Sequence, residues 1–449
     1  MPTLMVSISG IRGLIGDGLE PEVIVKYTSA YAEFIGSGTV VVGRDSRISG
    51  EMVRSIVCGT LTAKGINVID IAVCPTPTVQ YTVKTLNAQG GIAISASHNP
   101  NEWNALKLLN STGQFMTPDE NVKLQEIISN FHPVYKTWDK LGTYSLYKEG
   151  LERHKKDVLA LPILNLEAIR KRNFKVLLDC VNGAGYTVIP QLLRDLGCTV
   201  IERNCESTGI FPRLPEPLPE NLVDTMKAVK ENNVDLGVVV DPDVDRLVLI
   251  TEKGEPFIEE NTIAHITRLV LSKTPGSAVV NLSTTRAVDD IAASLGSKVH
   301  RSAVGEANVV KKMQETGAVI GGEGSGGVIY PALHYGRDAL VGVALTLQHL
   351  LEFGGTLSEL KASLPQYYIA KKKIETGSKD PGKLLAILEK RYASEKINTE
   401  DGLRIDFTDH WVHFRKSNTE PIIRVITEAG TQQKAEEYID KYFTELNSL

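Results

Sequence analysis

Leu236-Gly-Val-Val-Val240 is an apolar run that leads directly into Asp241-Pro-Asp243-Val-Asp245-Arg246. Gly91-Ile-Ala-Ile-Ser95 leads in the same way into Ala96-Ser97-His98-Asn99-Pro100, and Ala318-Val-Ile-Gly321 precedes Glu323-Gly-Ser325-Gly-Gly327. Short apolar runs that alternate with helical segments indicate βαβ units and mainly parallel sheets. Ligands of open α/β sheets bind at the carboxyl ends of the strands, so these three polar segments are the first candidates for a site.

Each run is the third strand of a module that occurs three times. A module consists of an apolar strand, a helix, a glycine, a second strand, a further helix and the third strand. The first strands are predicted at 39–43, 174–178 and 277–281; the glycines are Gly65, Gly197 and Gly296; the second strands are 66–71, 198–202 and 298–302. Three copies in the same order predict three similar α/β domains.

The last part of the chain has a different pattern. Strands are predicted at 367–375, 402–407, 411–415 and 422–427, and helices at 383–392 and 433–446. This order is typical of a small α+β domain with an antiparallel sheet. We therefore predict four domains, at 1–150, 151–252, 253–367 and 368–449.

Composition narrows the class of protein. A chain of 449 residues is too long for one core, and a net charge of −5 gives no reason to expect nucleic acid or an anionic membrane as a partner. The first basic residue is Arg12, and no apolar stretch approaches the roughly 20 residues that span a bilayer. The five cysteines are scattered, which is typical of reduced thiols in a cytoplasmic protein.

Asp241, Asp243 and Asp245 are the candidate metal ligands. With a spacing of two at the end of a strand, their carboxylates are expected on one side. Three carboxylates so close repel one another unless a hard cation cancels their charge, and Mg²⁺ is the usual cation where phosphate is handled. Arg246 directly behind them suits a phosphate better than bare solvent.

Ser97 is the candidate nucleophile. A lone serine at a strand end is most often a helix cap, but His98 follows Ser97 directly and Lys107 comes ten residues later. A phosphorylated serine that donates its phosphoryl group needs a metal and cations around it. Lys107, with a pKa lowered by neighbouring cations, or His98 is the candidate base, and Arg12 is a further cation.

Two further segments are candidates for substrate binding. Glu323 and Ser325 suit two adjacent sugar hydroxyls, although a glycine-rich turn is the simpler interpretation of this segment alone. Arg415-Lys-Ser417-Asn418-Thr419-Glu-Pro421, followed by Arg424, is a hairpin rich in donors that suits a phosphate.

Taken in order, these four segments resemble the α-D-phosphohexomutase family, and the resemblance covers essentially the whole chain. It implies four domains around a deep cleft, the first three with mixed sheets. It also implies a reaction in which phospho-Ser97 converts a hexose phosphate into a hexose 1,6-bisphosphate, which is both intermediate and activator. The other phosphate then returns to Ser97.

The resemblance also implies a role for each candidate residue. Ser97, Asp241, Asp243 and Asp245 would bind Mg²⁺, while Arg12, His98, Lys107 and Arg246 would assist proton transfer and stabilise charge. Glu323, Ser325 and the segment around Gly305 would face the sugar, and Arg415, Ser417, Asn418, Thr419 and Arg424 would hold the phosphate that does not react. The partner is then a small sugar phosphate, bound by a monomer or a homodimer.

The resemblance has departures that bear on the substrate. Gly327 stands where many bacterial members have histidine, a loss for which His334 is a candidate replacement. Glucosamine phosphate is the leading substrate, and broad specificity for glucose and mannose phosphates is the alternative. A magnesium-dependent phosphatase would use an aspartate nucleophile and leave Ser97 without a purpose. A sugar-phosphate sensor would be expected to lose Ser97, Lys107 or an aspartate, and all are present.

Overall fold

A computed structural model describes residues 3–375, 377, 379–416 and 422–449. The chain forms two compact units, Met1–Thr262 with Ser325–Leu360, and Ile263–Gly324 with Lys361–Leu449. Within the described ranges, no helix has both the length and the apolar character required to cross a membrane.

The strands are β1 (Met5–Ser7), β2 (Gly10–Ile15), β3 (Gly18–Leu19), β4 (Thr39–Arg44), β5 (Asn67–Val73), β6 (Gly90–Ile94), β7 (Trp103–Leu109), β8 (Tyr144–Leu146), β9 (Lys175–Asp179), β10 (Thr199–Arg203), β11 (Leu236–Val240), β12 (Leu247–Thr251), β13 (Ser277–Asn281), β14 (Lys298–Ser302), β15 (Ile320–Glu323), β16 (Gly327–Ile329), β17 (Tyr368–Glu375), β18 (Lys396–Asn398), β19 (Leu403–Asp406), β20 (His410–Lys416) and β21 (Ile422–Ala429). The helices are α1 (Pro21–Ile35), α2 (Gly50–Ala63), α3 (Thr76–Leu86), α4 (Pro118–Ser129), α5 (Gly150–Leu159), α6 (Leu166–Arg172), α7 (Ile189–Asp195), α8 (Val223–Glu231), α9 (Glu259–Lys273), α10 (Ala287–Ser294), α11 (Glu306–Thr316), α12 (Ala339–Phe353), α13 (Leu357–Ala362), α14 (Pro381–Arg391) and α15 (Gln432–Asn447). Short 3-10 helices cover Ala184–Thr187 and Pro219–Asn221.

The threefold repeat predicted from the sequence is present as a repeated strand order. In each copy the first strand lies between the second and the third and pairs with both in parallel: β4 between β5 and β6, β9 between β10 and β11, and β13 between β14 and β15. The chain therefore runs from each first strand to a neighbour on one side of it and then crosses to a neighbour on the other side. This arrangement opens a crevice at the carboxyl ends of the first and third strands.

The sheets are mixed rather than wholly parallel, as the family resemblance implied. β7 pairs antiparallel with β6 and with β2, and β12 pairs antiparallel with β11. Each of these antiparallel strands, β7 and β12, begins at the sheet edge where the polar segment lies and runs away from it. As a result β7 places Lys107 beside the segment that follows β6.

Side-chain spacing explains how the first copy is packed. Val53, Val57 and Leu61 recur at every fourth position of α2 and form one buried stripe. Val40 and Val42 point to one face of β4 by strand alternation and belong to the same buried cluster. Burying a valine or leucine side chain of this kind stabilises the fold by about 1.5–3 kcal/mol.

The third copy differs from the sequence-based prediction in one detail. The strand predicted at 318–321 is shifted toward the carboxyl end, because β15 covers Ile320–Glu323. Glu323 is therefore the last residue of its strand, with a buried side chain, rather than part of the turn that follows.

The C-terminal segment forms the antiparallel α+β domain that the sequence predicted. Its strand order is β17-β21-β20-β19-β18. Ile439, Tyr442 and Leu446 form one face of α15 and share a buried cluster with Val412 and Phe414 of β20. The helix thus covers one face of the sheet.

Candidate active site

Ser97 follows β6 in a left-handed backbone conformation with φ of +50°. Such a conformation is uncommon for residues other than glycine and costs free energy, so the surroundings must hold it. The backbone N–H of Ser97 donates to Oγ of Ser95 at 3.0 Å, and the carbonyl oxygen of Ser97 accepts from Nη2 of Arg47 at 2.8 Å. The side chain is buried, and its Oγ donates to Oδ2 of Asp241 at 2.7 Å.

Asp45 and Arg47 form a buried ion pair beneath this segment. Oγ of Ser95 donates to Oδ2 of Asp45 at 2.7 Å, and Nη2 of Arg47 also donates to the carbonyl oxygen of Asn99 at 2.5 Å. The arginine is thus neutralised by its own aspartate and uses its remaining donors on the backbone around Ser97. Both residues belong to the run after β4, which the sequence analysis did not identify.

The acidic segment lies where the sequence predicted, but the reason predicted for its geometry was wrong. Asp241, Asp243 and Asp245 lie in a turn after β11 rather than on an alternating strand, and Val244 between them has φ of +64°. The turn is stabilised by the backbone N–H groups of Asp245 and Arg246, which donate to Oδ1 of Asp241 at 3.1 and 3.2 Å. One carboxylate oxygen from each aspartate lies within 4.8 Å of the other two.

These three carboxylates fit a divalent cation. All three are fully buried, and Oδ1 of Asp243 and Oδ1 of Asp245 have no hydrogen-bond partner among the described residues. Burial and the neighbouring carboxylates of Asp245 and Asp243 raise the pKa of Asp241 well above its ordinary value. Three buried carboxylates, two of which have an oxygen that accepts no hydrogen bond from the described residues, are a suitable set of hard ligands for Mg²⁺.

Lys107 reaches the same cluster from β7. Its Nζ donates to Oδ2 of Asp243 at 2.6 Å and lies 3.5 Å from Oδ2 of Asp245, while the hydroxyl of Thr76 also donates to Asp243. The expectation that neighbouring cations lower the pKa of Lys107 is wrong for this arrangement. Burial acts to lower this pKa, but the two carboxylates outweigh it and raise the pKa above its ordinary value.

His98, Arg12 and Arg246 lie around Ser97. Nδ1 of His98 is 3.4 Å from Oγ of Ser97, and Nη1 of Arg12 donates to Oδ1 of Asn99 at 2.6 Å. Burial, and then the positive charges of Arg246 and Arg12, lower the pKa of His98 to about 2. The imidazole is therefore neutral, and its unprotonated nitrogen can accept a hydrogen bond or a proton.

The second unit contains a separate cluster around Glu323. Its Oε1 accepts from Nδ2 of Asn281 at 2.8 Å and from the backbone N–H of Gly305 at 2.9 Å. Gly305 precedes α11 with φ of +114°, a region that L side chains rarely adopt. The side chain of Ser325, which belongs to the first unit, is half-buried.

Arg415 and Arg424 are directly opposite each other in the antiparallel pair β20–β21 and therefore lie on the same face. Nε of Arg415 lies 2.7 Å from Oδ2 of Asp401, and Arg424 is exposed. Two like charges at directly opposite positions destabilise a sheet unless anions offset them, and Asp401 offsets the charge of Arg415. The turn of this hairpin, with the predicted phosphate ligands Ser417, Asn418 and Thr419, lies outside the described residues.

Four consecutive segments of the chain match sequence models that describe phosphoglucomutase/phosphomannomutase: alpha/beta/alpha domain I at residues 5–133, domain II at 152–254, domain III at 260–368 and the C-terminal domain at 372–445. The chain belongs to the phosphoglucomutase/phosphomannomutase family. It is thus a phosphohexomutase, with the four-domain composition that the sequence resemblance implied.

Individual members of the family support this assignment over the full length. A probable phosphoglucosamine mutase of Methanopyrus kandleri is 36% identical, with 97% of this chain and 96% of that protein covered. A phosphoglucomutase/phosphomannomutase of Thermococcus kodakarensis is 38% identical, with 96% of each chain covered. The crystal structure of a phosphoglucomutase/phosphomannomutase family protein from Burkholderia thailandensis has a TM-score of 0.86 at 25% identity, covering 99% of this chain and 98% of that one.

Sequence reasoning missed several residues that contact the candidate residues within each unit. Asp45 and Arg47 follow β4, and Asn281 ends β13, so they come from first strands of the modules. The sequence did contain a signal for the residues that follow first strands. The carboxyl ends of first and third strands lie at the same edge of the sheet, so polar residues after a first strand are candidates for the site in the same way as those after a third strand. Thr76 and Arg337 come from helix starts and could not be recognised this way.

Proposed function

We propose that this phosphohexomutase interconverts hexose 6-phosphate and hexose 1-phosphate through phospho-Ser97 and a hexose 1,6-bisphosphate. The observation that supports this most directly is the 2.7 Å hydrogen bond between Oγ of Ser97 and Oδ2 of Asp241. A serine hydroxyl is a weak nucleophile, and here it is buried against a carboxylate cluster with Lys107 beside it. A phosphatase with an aspartate nucleophile would have no use for this serine.

In the proposed first half-reaction, the bond between Oγ of Ser97 and phosphorus breaks while a hydroxyl oxygen of the sugar forms the new bond to phosphorus. The proton of that hydroxyl passes to the neutral imidazole of His98 and from there to the released Oγ of Ser97, because Lys107 is already protonated beside Asp243 and Asp245 and serves as a cation. In the second half-reaction, the bond between the other phosphorus and its sugar oxygen breaks while Oγ of Ser97 forms the new bond to that phosphorus, and the proton of Oγ passes by the same route to the released sugar oxygen. Arg12 and Arg246 stabilise the negative charge of the transferred group.

We propose Mg²⁺ as the cation, held by Ser97, Asp241, Asp243 and Asp245. When bound, Mg²⁺ supplies charge neutralisation on the oxygens of the transferred phosphoryl group. The protein contributes the shape of the acidic turn, fixed by backbone donors at Asp241 and by Lys107 at Asp243. A hexose 1,6-bisphosphate is the proposed activator, because it phosphorylates Ser97 directly.

The proposed sugar-binding residues are Glu323, Ser325 and the segment at Gly305. The Glu323 carboxylate is buried and oriented by Asn281 and by the backbone of Gly305, which suits an acceptor for sugar hydroxyls. Arg415 and Arg424 are proposed to bind the phosphate that does not react, together with Ser417, Asn418 and Thr419. An anion between the two opposed arginines would remove their mutual repulsion.

Glucosamine phosphate is the proposed substrate, and broad specificity for glucose and mannose phosphates is the second candidate. The name of the Methanopyrus kandleri relative supports the first, and that of the Thermococcus kodakarensis relative supports the second. The proposed domain boundaries lie near 150, 252 and 367, as predicted from the sequence. The cytoplasmic location and the monomeric or dimeric state stay predictions from sequence.

Mutase turnover with Mg²⁺ and a trace of hexose bisphosphate tests the proposal. We expect conversion of glucosamine 6-phosphate with a kcat/KM at least tenfold above those for glucose and mannose 6-phosphates under the same conditions. Similar values for the three sugars would favour the broad-specificity candidate. Release of inorganic phosphate without isomerisation would contradict the mutase reaction itself.

A further inference from the structure

Arg337 extends from the start of α12 to the acidic turn. Its Nη2 donates to Oδ2 of Asp245 at 2.6 Å, and its side chain is about nine-tenths buried, with 12% of its surface exposed. The sequence analysis gave this residue no role. We propose that Arg337 is a positioning residue that orients the Asp245 carboxylate toward the cation, so that Mg²⁺ affinity depends on it. The inference rests on the metal site proposed above.

Asp243 and Asp245 use their two carboxylate oxygens in the same way. Oδ2 of Asp243 is held by Lys107 and Thr76, and Oδ2 of Asp245 is held by Arg337. The Oδ1 atoms of both aspartates are buried and have no hydrogen-bond partner within the described part of the chain, and the cation nearest to Oδ1 of Asp245 is Nε of Arg246 at 3.9 Å. Each carboxylate is therefore fixed through one oxygen and keeps the other for a ligand, which is how residues around a metal site orient its ligands.

Gly327 makes room for the arginine. A Cβ atom at position 327 would lie 2.3 Å from Cδ and 3.0 Å from Cγ of Arg337, so any side chain there would displace it. His334, the candidate replacement named from the sequence, is buried and hydrogen-bonds to Asp338. The side chain beside Gly327 is that of Arg337.

The backbone that carries Arg337 is fixed from several sides. Oδ2 of the buried Asp338 accepts from Nε2 of His154 at 2.9 Å and from Nε2 of His334 at 3.0 Å, and its Oδ1 caps α12 through the backbone N–H of Leu340. The next residue, Ala339, donates its N–H to the carbonyl oxygen of Val244 at 3.1 Å. The arginine and the acidic turn are thus joined by backbone as well as side chain.

Removal of Arg337 changes the affinity for Mg²⁺ in two ways that oppose each other. Loss of a positive charge beside Asp245 would by itself tighten cation binding. Loss of the hydrogen bond frees the carboxylate to rotate and weakens cation binding. Because Lys107 still offsets charge at the cluster, we expect orientation to dominate, with a 10- to 100-fold higher Kd for Mg²⁺, the range typical for residues that orient metal ligands.

Calorimetric titration of Mg²⁺ into the full chain tests this. Arg337→Ala should raise the Kd about 10- to 100-fold, and Arg337→Lys, which keeps a hydrogen-bond donor for Asp245, should recover part of the loss. Arg172→Ala is the matched control, because it removes an arginine from an exposed pair with Asp235 and should leave the Kd unchanged.

A double-mutant cycle separates positioning from a general loss of structure. Gly327→Ala should also raise the Kd, because its methyl group displaces Arg337, but it should add little in the Arg337→Ala background. Equal or tighter Mg²⁺ binding by Arg337→Ala, with the wild type binding normally, would overturn the positioning role alone. Independent, additive effects of the two substitutions would also overturn it. Absence of Mg²⁺ binding by the wild type would overturn the proposed metal site as well.

Discussion

Oγ of Ser97 lies 2.7 Å from Oδ2 of Asp241, although 144 positions separate the two residues in the chain. Each follows the third strand of its own module, and each is held by a turn with a positive φ, at Ser97 and at Val244. The nucleophile and the acidic cluster are therefore juxtaposed by the repetition of one strand order in two modules. Their distance explains why Ser97 is the proposed site of phosphorylation.

Ser97→Ala should reduce mutase turnover by at least a thousandfold and abolish the mass increase of one phosphate after incubation with hexose bisphosphate. The physical reason is that, among the described residues, Ser97 supplies the hydroxyl that hydrogen-bonds to Asp241. Intact-protein mass spectrometry and a coupled assay measure the two effects. Ser111→Ala, an exposed serine of the same domain, should leave both unchanged. Wild-type turnover by Ser97→Ala would exclude the phosphoserine mechanism.

Asp241→Asn should abolish stabilisation by Mg²⁺ while leaving the metal-free protein at least as stable as the wild type. Three buried carboxylates repel one another without a cation, so removing one charge relieves the folded state even as it removes a ligand. For the wild type, Mg²⁺ at 100 times its Kd should add about 2.7 kcal/mol to the free energy of unfolding. Urea titrations with Mg²⁺ and with EDTA give both quantities.

The control for that experiment is Asp235→Asn, an aspartate of the same module that is paired at the surface with Arg172. It should keep the full stabilisation by Mg²⁺. If Asp241→Asn responds to Mg²⁺ as strongly as the wild type does, the acidic turn is not the cation site.

Arg415→Ala should raise the KM for the sugar phosphate about tenfold or more and change kcat less. The residue is proposed to bind the phosphate that does not react, so its loss removes binding that is similar in the ground state and the transition state. Steady-state kinetics with the preferred hexose phosphate measures the split. Arg391→Ala, which removes an exposed arginine paired with Glu445 in the same domain, is the control. An unchanged KM would remove Arg415 from the proposed phosphate site.

His413→Gln should make the stability of the protein less sensitive to acid. Burial lowers the pKa of His413 to about 4, and its ring bonds Oγ of Ser283 at 2.9 Å and the carbonyl oxygen of Asp401 at 2.7 Å. The unfolded chain takes up a proton near pH 6.5 and the folded chain does not, so stability present above pH 6.5 is lost as the pH falls toward 4. Between pH 7 and 5 this loss is about 2 kcal/mol.

Urea titrations at pH 7 and pH 5 compare the two proteins. The wild type should lose about 2 kcal/mol more than His413→Gln over this interval, whatever the stability of the variant at pH 7. Equal losses in the two proteins would show that the proton uptake occurs at other groups.

The order and type of the elements could be predicted from the sequence, because they depend on local patterns. Apolar runs such as 236–240 and 39–43 form strands that are buried on both faces. The glycines that follow the helices indicate the turns that lead into the next strands. The three polar segments at the carboxyl ends of strands were recognised for the same reason. Position along a strand was sufficient to select Ser97, the three aspartates and Glu323.

Distances between modules depended on tertiary structure, because no local pattern encodes them. The turn geometry of the acidic segment, with Val244 in a left-handed conformation, is maintained by contacts from distant residues and replaced the expected strand alternation. Lys107 has a raised pKa because Asp243 and Asp245, more than 130 positions away, lie beside it. Arg337 reaches Asp245 only because Gly327 has no side chain and a buried carboxylate holds the start of α12, a combination that becomes visible when the packed chain brings them together.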